Sequence, residues 1–535
     1  MNGSFDIVIA GGLVADGSGD TPRPRDVGIA GARIAAVDDL AGASRESTID
    51  ATGAVVAPGF IDVHSHSDIA LLADPRAESG LLQGVTTEVV GNCGHGPSPM
   101  ADTRAFRANL YGALPDLALD WRDLVGYLDR LEKAVPAVNV ATLVPNGNLR
   151  LAVMGTDQRA ATLAERRAMA RLLARDLEAG AIGLSTGLEY PLEAATTQDD
   201  LDALGAVVAQ HDGFHACHTR DRGEGVVRAT EEALAIGRRT GVRTQIAHAL
   251  PRVEASHGTL ERLMAVLDRA REEVDLGWDM HTRTFAAAAL GSVLPPEALT
   301  AGSPDAIAAA GRAAIARGEG LLASFARCGW DRVTLAGMSG PPGGDSGPEG
   351  GNGRTLAEQA GARGIDPIEL LARVWTGAGP GRGRLMVHAQ TYDEDGIARM
   401  IAAPGGMPAS DSVAQSRGGP YPGVVLFGAF SWAAWTLRRL VRERRDLELG
   451  AAVARLSARP AGRAGLADRG NLVSGAAADV VVFDPESIAE RATPERPLEP
   501  AVGVRHVLVN GRVAVADGRI TNVRAGEVIR GGRTG

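Results

Sequence analysis

The chain has 535 residues, 45% of them hydrophobic and 22% charged, with a formal net charge of −10. That is too long for one compact core and long enough for a large barrel plus a smaller companion domain. No apolar run approaches the roughly 20 residues that cross a bilayer, and no Lys/Arg cluster is interleaved with aromatics, so a small molecule is the expected partner, with neither nucleic acid nor membrane.

The opening "MNGSFDIVIAGGLVADGSGD" has no basic n-region and no long apolar h-region. It reads as a first strand and hairpin, which makes the cytoplasm the expected compartment. Residues 1–58 continue as short strands with Gly and Asp at their turns. Residues 456–535 read the same way, with "VNGR" and "ADGR" as hairpin turns. Two β-rich ends around a different middle point to one small β domain, a sandwich, closed by both termini.

From 59 to 455 apolar strand segments alternate with helical ones. "TLAERRAMARLLARDLEAG" and "VVRATEEALAIGRRTG" carry apolar residues at three- and four-residue spacing. The strand candidates run from "VVAPGFIDVHSH" through "GVTTEVVGNCG", "VNVATLVPNG", "AIGLSTGLEY", "GFHACHTR", "RTQIAHAL", "EVDLGWDMH" and "RLMVHAQ" to "GGMPASD". Strand then helix, repeated about eight times, gives the fold class: α/β, a (β/α)8 TIM-type barrel enlarged beyond the usual ~250 residues. One stretch breaks the rhythm, an insertion over about 285–356. It ends in the Gly/Pro/Ser-rich "MSGPPGGDSGPEGGNGRT", read as a loop able to act as a lid.

In such a barrel the reactive side chains stand where strands end and loops begin. His64, His66, Cys93, Tyr190, His218, His248 and Asp411 all fall at such ends. Period-2 alternation puts His64 and His66 on one side of their strand. With Cys93, His218 and His248 they make a nitrogen and sulfur donor set that suits zinc. His95, His211, His215, His257 and His506 lack such partners and read as hydrogen-bonded polar residues. Cys217 alternates away from His218, Cys328 has no histidine near it, and both read as packing residues. For Asp411 the competing role is a helix N-cap in "PASDSVA".

The order of these motifs resembles the amidohydrolase superfamily, in its N-acyl-D-amino-acid deacylase (D-aminoacylase) branch. The likeness runs through "GFIDVHSHSD", "GVTTEVVGNCGHGPSP", "AGAIGLSTGLEYP", "CHTRDRGEGV", "TQIAH", "MPASD" and "DRGNLVSGAAADVVVFDP". The resemblance implies a zinc enzyme in which Cys93, His218 and His248 hold one tight metal, while His64 and His66 belong to a second, weaker position. It makes Asp411 the catalytic aspartate and Tyr190 the partner of the scissile carbonyl.

The chemistry agrees. A metal-bound water acidified towards neutrality supplies hydroxide, and Asp411 can take its proton and return it to the leaving nitrogen. Hydrolysis of a linear amide, an N-acyl-D-amino acid or similar compound, is the expected reaction. The alternatives are a cyclic amide or an acyl group on a specialised metabolite, and beyond those a non-catalytic binding protein. Lys133, the only lysine, lies in an amphipathic helical stretch and reads as a surface charge. That argues against a carboxylated lysine between two metals.

The chain also departs from the family. Where members carry "HHK" it has His248, Ala249 and Leu250. Where they carry tyrosines and a serine it has "DMHTRTFAA", with His281 and Arg283, and Asn146 replaces a family histidine. His281, Arg283 and Asn146 are therefore the candidate substrate-binding residues, with Arg283 expected to pair either with Asp279 or with a substrate carboxylate.

Overall fold

The structure is a computed structural model that describes residues 4–101, 117–336, 354–379, 385–420, 427–493 and 496–531. Most of the Gly-rich segment expected to form a lid lies outside these residues.

Strands from both ends of the chain share one hydrogen-bonded sheet of nine. Phe5–Val14 pairs antiparallel with Arg23–Ala30 and parallel with Arg45–Asp50 and Val55–Pro58. Val55–Pro58 then pairs antiparallel with Val480–Phe483, and the sheet runs on through Val504–Val509, Arg512–Ala516 and Arg519–Ile520. The alternating apolar residues of these strands meet in one cluster that includes Ile9, Val27, Ile29, Val56, Val480, Val482 and Leu508. Both expected hairpin turns form: Asn510-Gly511 and Asp517-Gly518 all have positive φ, the backbone an Asn-Gly or Asp-Gly type I′ turn requires.

The middle of the chain is built on parallel strands. Phe60–Asp62, Val85–Val90 and Asn139–Thr142 form one run. Val144–Pro145, Gly183–Gly187, Phe214–His218, Arg243–Ile246, Leu276–His281 and Gly406–Ala409 form the next. Parallel strands need long crossovers, and helices such as Leu163–Glu178 and Gln198–Gln210 provide them, each started by a capping box, Thr162 with Glu165 and Thr197 with Asp200. At one end the two runs meet. His66 N–H donates to Ser412 O at 2.7 Å, Asp411 N–H to His64 O at 2.9 Å, and Ser65 bridges Ser412 in parallel register. Ala461, Ala464 and Leu466 pack with Ile61, Val89, Phe214 and Ala216, so residues just after 456 pack against the parallel strands before the terminal sheet resumes at Val480.

One strand candidate stands elsewhere. Met386–Gln390 pairs antiparallel with Phe285–Ala289 and Val333–Ala336 in a separate three-stranded sheet. Gly406–Ala409 pairs with Leu276–His281 in its place. The interruption that begins after Leu276–His281 thus reaches at least Gln390, past the expected limit near 356. The reason is visible in burial: Gly406–Ala409 is buried throughout, as a covered parallel strand must be, whereas His388 and Gln390 alternate outward on a one-sided antiparallel strand.

Candidate metal centre

Each candidate ligand is delivered by a strand end. Three of the residues do so with strained backbone: Cys93, His248 and Asp411 have φ of 53°, 36° and 44°. A non-glycine residue in this region costs of order 1–3 kcal/mol, and such outliers persist where tertiary structure dictates side-chain direction. Gly94 follows Cys93 at φ +71°, and a Cβ there would collide with the Glu193 carboxylate, so the turn that lifts the thiol needs glycine.

Two overlapping trios result. The donor atoms of His64, Cys93 and His248 lie within 4.8 Å of one another, as do those of His64, His66 and Asp411. Cys93 Sγ is 3.2 Å from His64 Nε2 and 3.5 Å from His248 Nε2. Tetrahedral zinc, with Zn–S about 2.3 Å and Zn–N about 2.0–2.1 Å, separates sulfur and nitrogen by about 3.5 Å, so the first trio fits that ion. His64, His218 and His66 hold the buried thiol well below its ordinary pKa against the opposing effect of burial, the direction that favours a thiolate donor.

The family resemblance grouped Cys93 with His218 and His248. The structure brings Cys93, His248 and His64 together most closely. His218 stands edge-on to His248 with ring centroids 4.5 Å apart, and its buried Nδ1 has no hydrogen-bond partner, as an orphaned ligand atom would.

Behind the ligands stand two carboxylates, Glu189, which the sequence did not single out, and Asp279, which it had offered to Arg283. Asp279 accepts from His64 Nδ1 at 3.0 Å, from His248 N–H at 2.8 Å and from Gln245 at 2.9 Å. This fixes His64 with Nε2 towards Cys93. Glu189 Oε2 lies 2.9 Å from His218 Nε2, and Arg252 grips the same carboxylate with two contacts of 2.7 Å. Despite burial, Arg252 and His218 keep Glu189 ionised well below the usual carboxylate range. The only sequence signal for either was position, since Glu189 precedes Tyr190 at a strand end and Asp279 precedes His281 by two.

Arg283 does not take Asp279, one of its two expected partners. Asp279 is occupied by the histidines, and Arg283 instead donates from Nη2 to Asp411 Oδ2 at 2.9 Å and to Asp411 O at 2.7 Å, and from Nη1 to Ser410 O at 2.5 Å. On the other carboxylate oxygen, Asp411 Oδ1 is 3.3 Å from His66 Nε2 and 3.7 Å from His64 Nε2. Burial opposes ionisation, yet Arg283, His66 and His64 hold Asp411 well below its ordinary pKa. Ser412 after it makes the bridge to Ser65, so Asp411 ends a strand and caps no helix.

His281 is buried 3.9 Å from Asp411 Oδ2. Asn146 donates to Glu193 Oε2 at 2.7 Å, a buried structural link. Tyr190 packs between His95 and His218, ring centroids 4.5 and 4.6 Å away. His95, read from sequence as a bystander, is therefore part of this wall. His215 meets Thr186 at 2.9 Å, and burial pushes the Cys217 thiol up to about 12, as inert packing residues require. Lys133 is exposed in the last turn of Leu124–Ala134.

Residues 47–515 match the amidohydrolase family. The chain belongs to that family. Among similar amidohydrolases, an N-acyl-D-glutamate deacylase from Alcaligenes xylosoxydans xylosoxydans is 37% identical over 533 residues, 99% of this chain and 97% of that protein. A solved D-aminoacylase, described as having a binuclear metal centre with one-metal activation and second-metal attenuation, superposes with TM-score 0.80 at 30% identity, covering 98% of this chain and 100% of the other. An N-acyl-D-glutamate deacylase from Bordetella bronchiseptica, solved with zinc and a phosphonate mimic of the tetrahedral intermediate, gives TM-score 0.79 at 33% identity over 99% and 100%. No helix among the described residues is long and apolar enough to cross a membrane.

Proposed function

We propose that the protein is a zinc-dependent deacylase that hydrolyses the amide of N-acyl-D-amino acids. The observation that carries this is the joint presence of the His64, Cys93 and His248 donors and an ionised Asp411 beside them, in a chain similar along its whole length to such deacylases. Zinc held by these donors would supply polarisation of the scissile carbonyl and a more acidic attacking water. Asp411 Oδ1, on the His64 and His66 side, takes the proton and returns it to the leaving nitrogen, while Arg283 holds Oδ2. The Tyr190 hydroxyl supports the carbonyl oxygen. The family resemblance gives Cys93, His218 and His248 to the tight position and His64 and His66 to the weaker one, while the shortest donor contacts run from Cys93 to His64 and His248, so His64 stands between the two positions. The meeting of strands at Ser65 and Ser412 supports a closed (β/α)8 barrel, residues 59–455, and the cluster around Ile29 and Val480 supports a terminal sheet folded as a sandwich.

The test is a panel of N-acetyl-D- and N-acetyl-L-amino acids and cyclic amides with zinc-loaded protein. Release of D-amino acids is expected. Turnover of cyclic amides alone would replace this reading.

A further inference from the structure

Three buried arginines, Arg222, Arg252 and Arg283, surround the candidate centre. A buried guanidinium without a counter-charge is strongly disfavoured, so the destination of each charge is informative. Arg252 is matched by Glu189 and Arg283 by Asp411. Among the described residues Arg222 is not matched.

Arg222 is only 5% exposed. Among the described residues, no carboxylate stands within the 4.0 Å ion-pair distance of it. Its Nη2 meets the Tyr392 hydroxyl and reaches His248 O at 3.5 Å, its Cζ lies 5.5 Å from the Tyr392 ring centroid, and its buried Nε has no hydrogen-bond partner. Next to it His281 stands edge-on to Tyr392, centroids 5.2 Å apart, with both ring nitrogens also lacking hydrogen-bond partners. A cation with no counter-charge among the described residues and two imidazole nitrogens without hydrogen bonds, one of them 3.9 Å from Asp411 Oδ2, thus share one wall, joined through a backbone carbonyl to the ligand His248. That combination suits an anion arriving with the substrate, and a planar guanidinium matches a carboxylate.

We propose that Arg222, flanked by His281 and Tyr392, receives a carboxylate of the substrate. This rests on the N-acyl-amino-acid reading and gives Arg222 the task that the sequence had pointed towards Arg283. The α-carboxylate and an acidic side chain offer the same chemistry, so the test separates them.

Zinc-loaded wild type, Arg222→Met and Arg222→Lys would each be assayed on two pairs: N-acetyl-D-methionine against its carboxamide, and N-acetyl-D-glutamate against N-acetyl-D-glutamine, with Kd measured calorimetrically alongside. In Arg222→Met the acid-to-amide ratio of kcat/KM should fall roughly 10- to 100-fold, the worth of a charge-assisted pair. Arg222→Lys should keep much of the ratio. A fall in the first pair assigns the α-carboxylate, and one confined to the second assigns the side chain. Equal losses on acid and amide in both pairs, with zinc retained, would overturn the inference and leave Arg222 a prop for the His248 loop. Absence of turnover by wild type on all four compounds would count against the deacylase reading instead, while the Kd ratios would still decide Arg222.

Discussion

Arg283 Nη2 stands 2.9 Å from Asp411 Oδ2, and the same guanidinium holds the Ser410 and Asp411 carbonyls. One side chain therefore fixes both the position and the charge of the proposed base. Asp411 has a folded pKa well below its ordinary value. The ionised form, and the stability the pair adds, are present above the ordinary carboxylate pKa and are lost as pH falls through the lowered one. In Arg283→Met burial is left opposed only by the histidines, so the pKa must rise. The acid limb of the kcat/KM profile should move up by about 1–3 pH units, alike for acid and amide substrates. An unmoved limb would mean Arg283 does not tune Asp411.

Asp411→Asn preserves size and removes proton transfer. We expect kcat to fall by roughly 10²-fold or more, with zinc content near that of wild type. A rate close to wild type would remove Asp411 from the chemistry.

Cys93→Ala deletes the sulfur common to the closest donor contacts, and elemental analysis should show most of the zinc lost. Full zinc occupancy in that variant would disprove the ligand assignment.

Glu189→Gln should act more gently, by loosening the His218 ring it orients at 2.9 Å. Zinc affinity, read by chelator competition, should drop about 10- to 100-fold, the usual effect of removing such an outer carboxylate. Unchanged affinity alongside lowered thermal stability would reduce Glu189 to the structural partner of Arg252.

Lys133→Arg should leave activity intact and bicarbonate should have no effect, because Lys133 is an exposed residue in the last turn of its helix. Lost activity on that exchange would reopen a carboxylated-lysine mechanism.

The sequence by itself determined the parts that depend on local pattern. Strand–helix alternation, the two Asn-Gly and Asp-Gly turns, and the strand-end placement of His64, His66, Cys93, His218, His248 and Asp411 are set by periodicity and turn chemistry, which act over a few residues. What only the tertiary structure decided is pairing. Alternation put Asp279 and Arg283 on one face and made them natural partners, but the ends of the parallel strands brought His64 and His248 to Asp279 and left Arg283 beside Asp411, 128 residues away in the chain. Glu189 and Arg252, 63 residues apart, met behind His218 by the same route. Met386–Gln390 has the apolar content of a parallel strand, yet its register belongs to another sheet, because register is chosen by which neighbours can bury both faces. A charge buried at the end of a strand takes the nearest counter-charge in space, and no spacing in the chain encodes that distance.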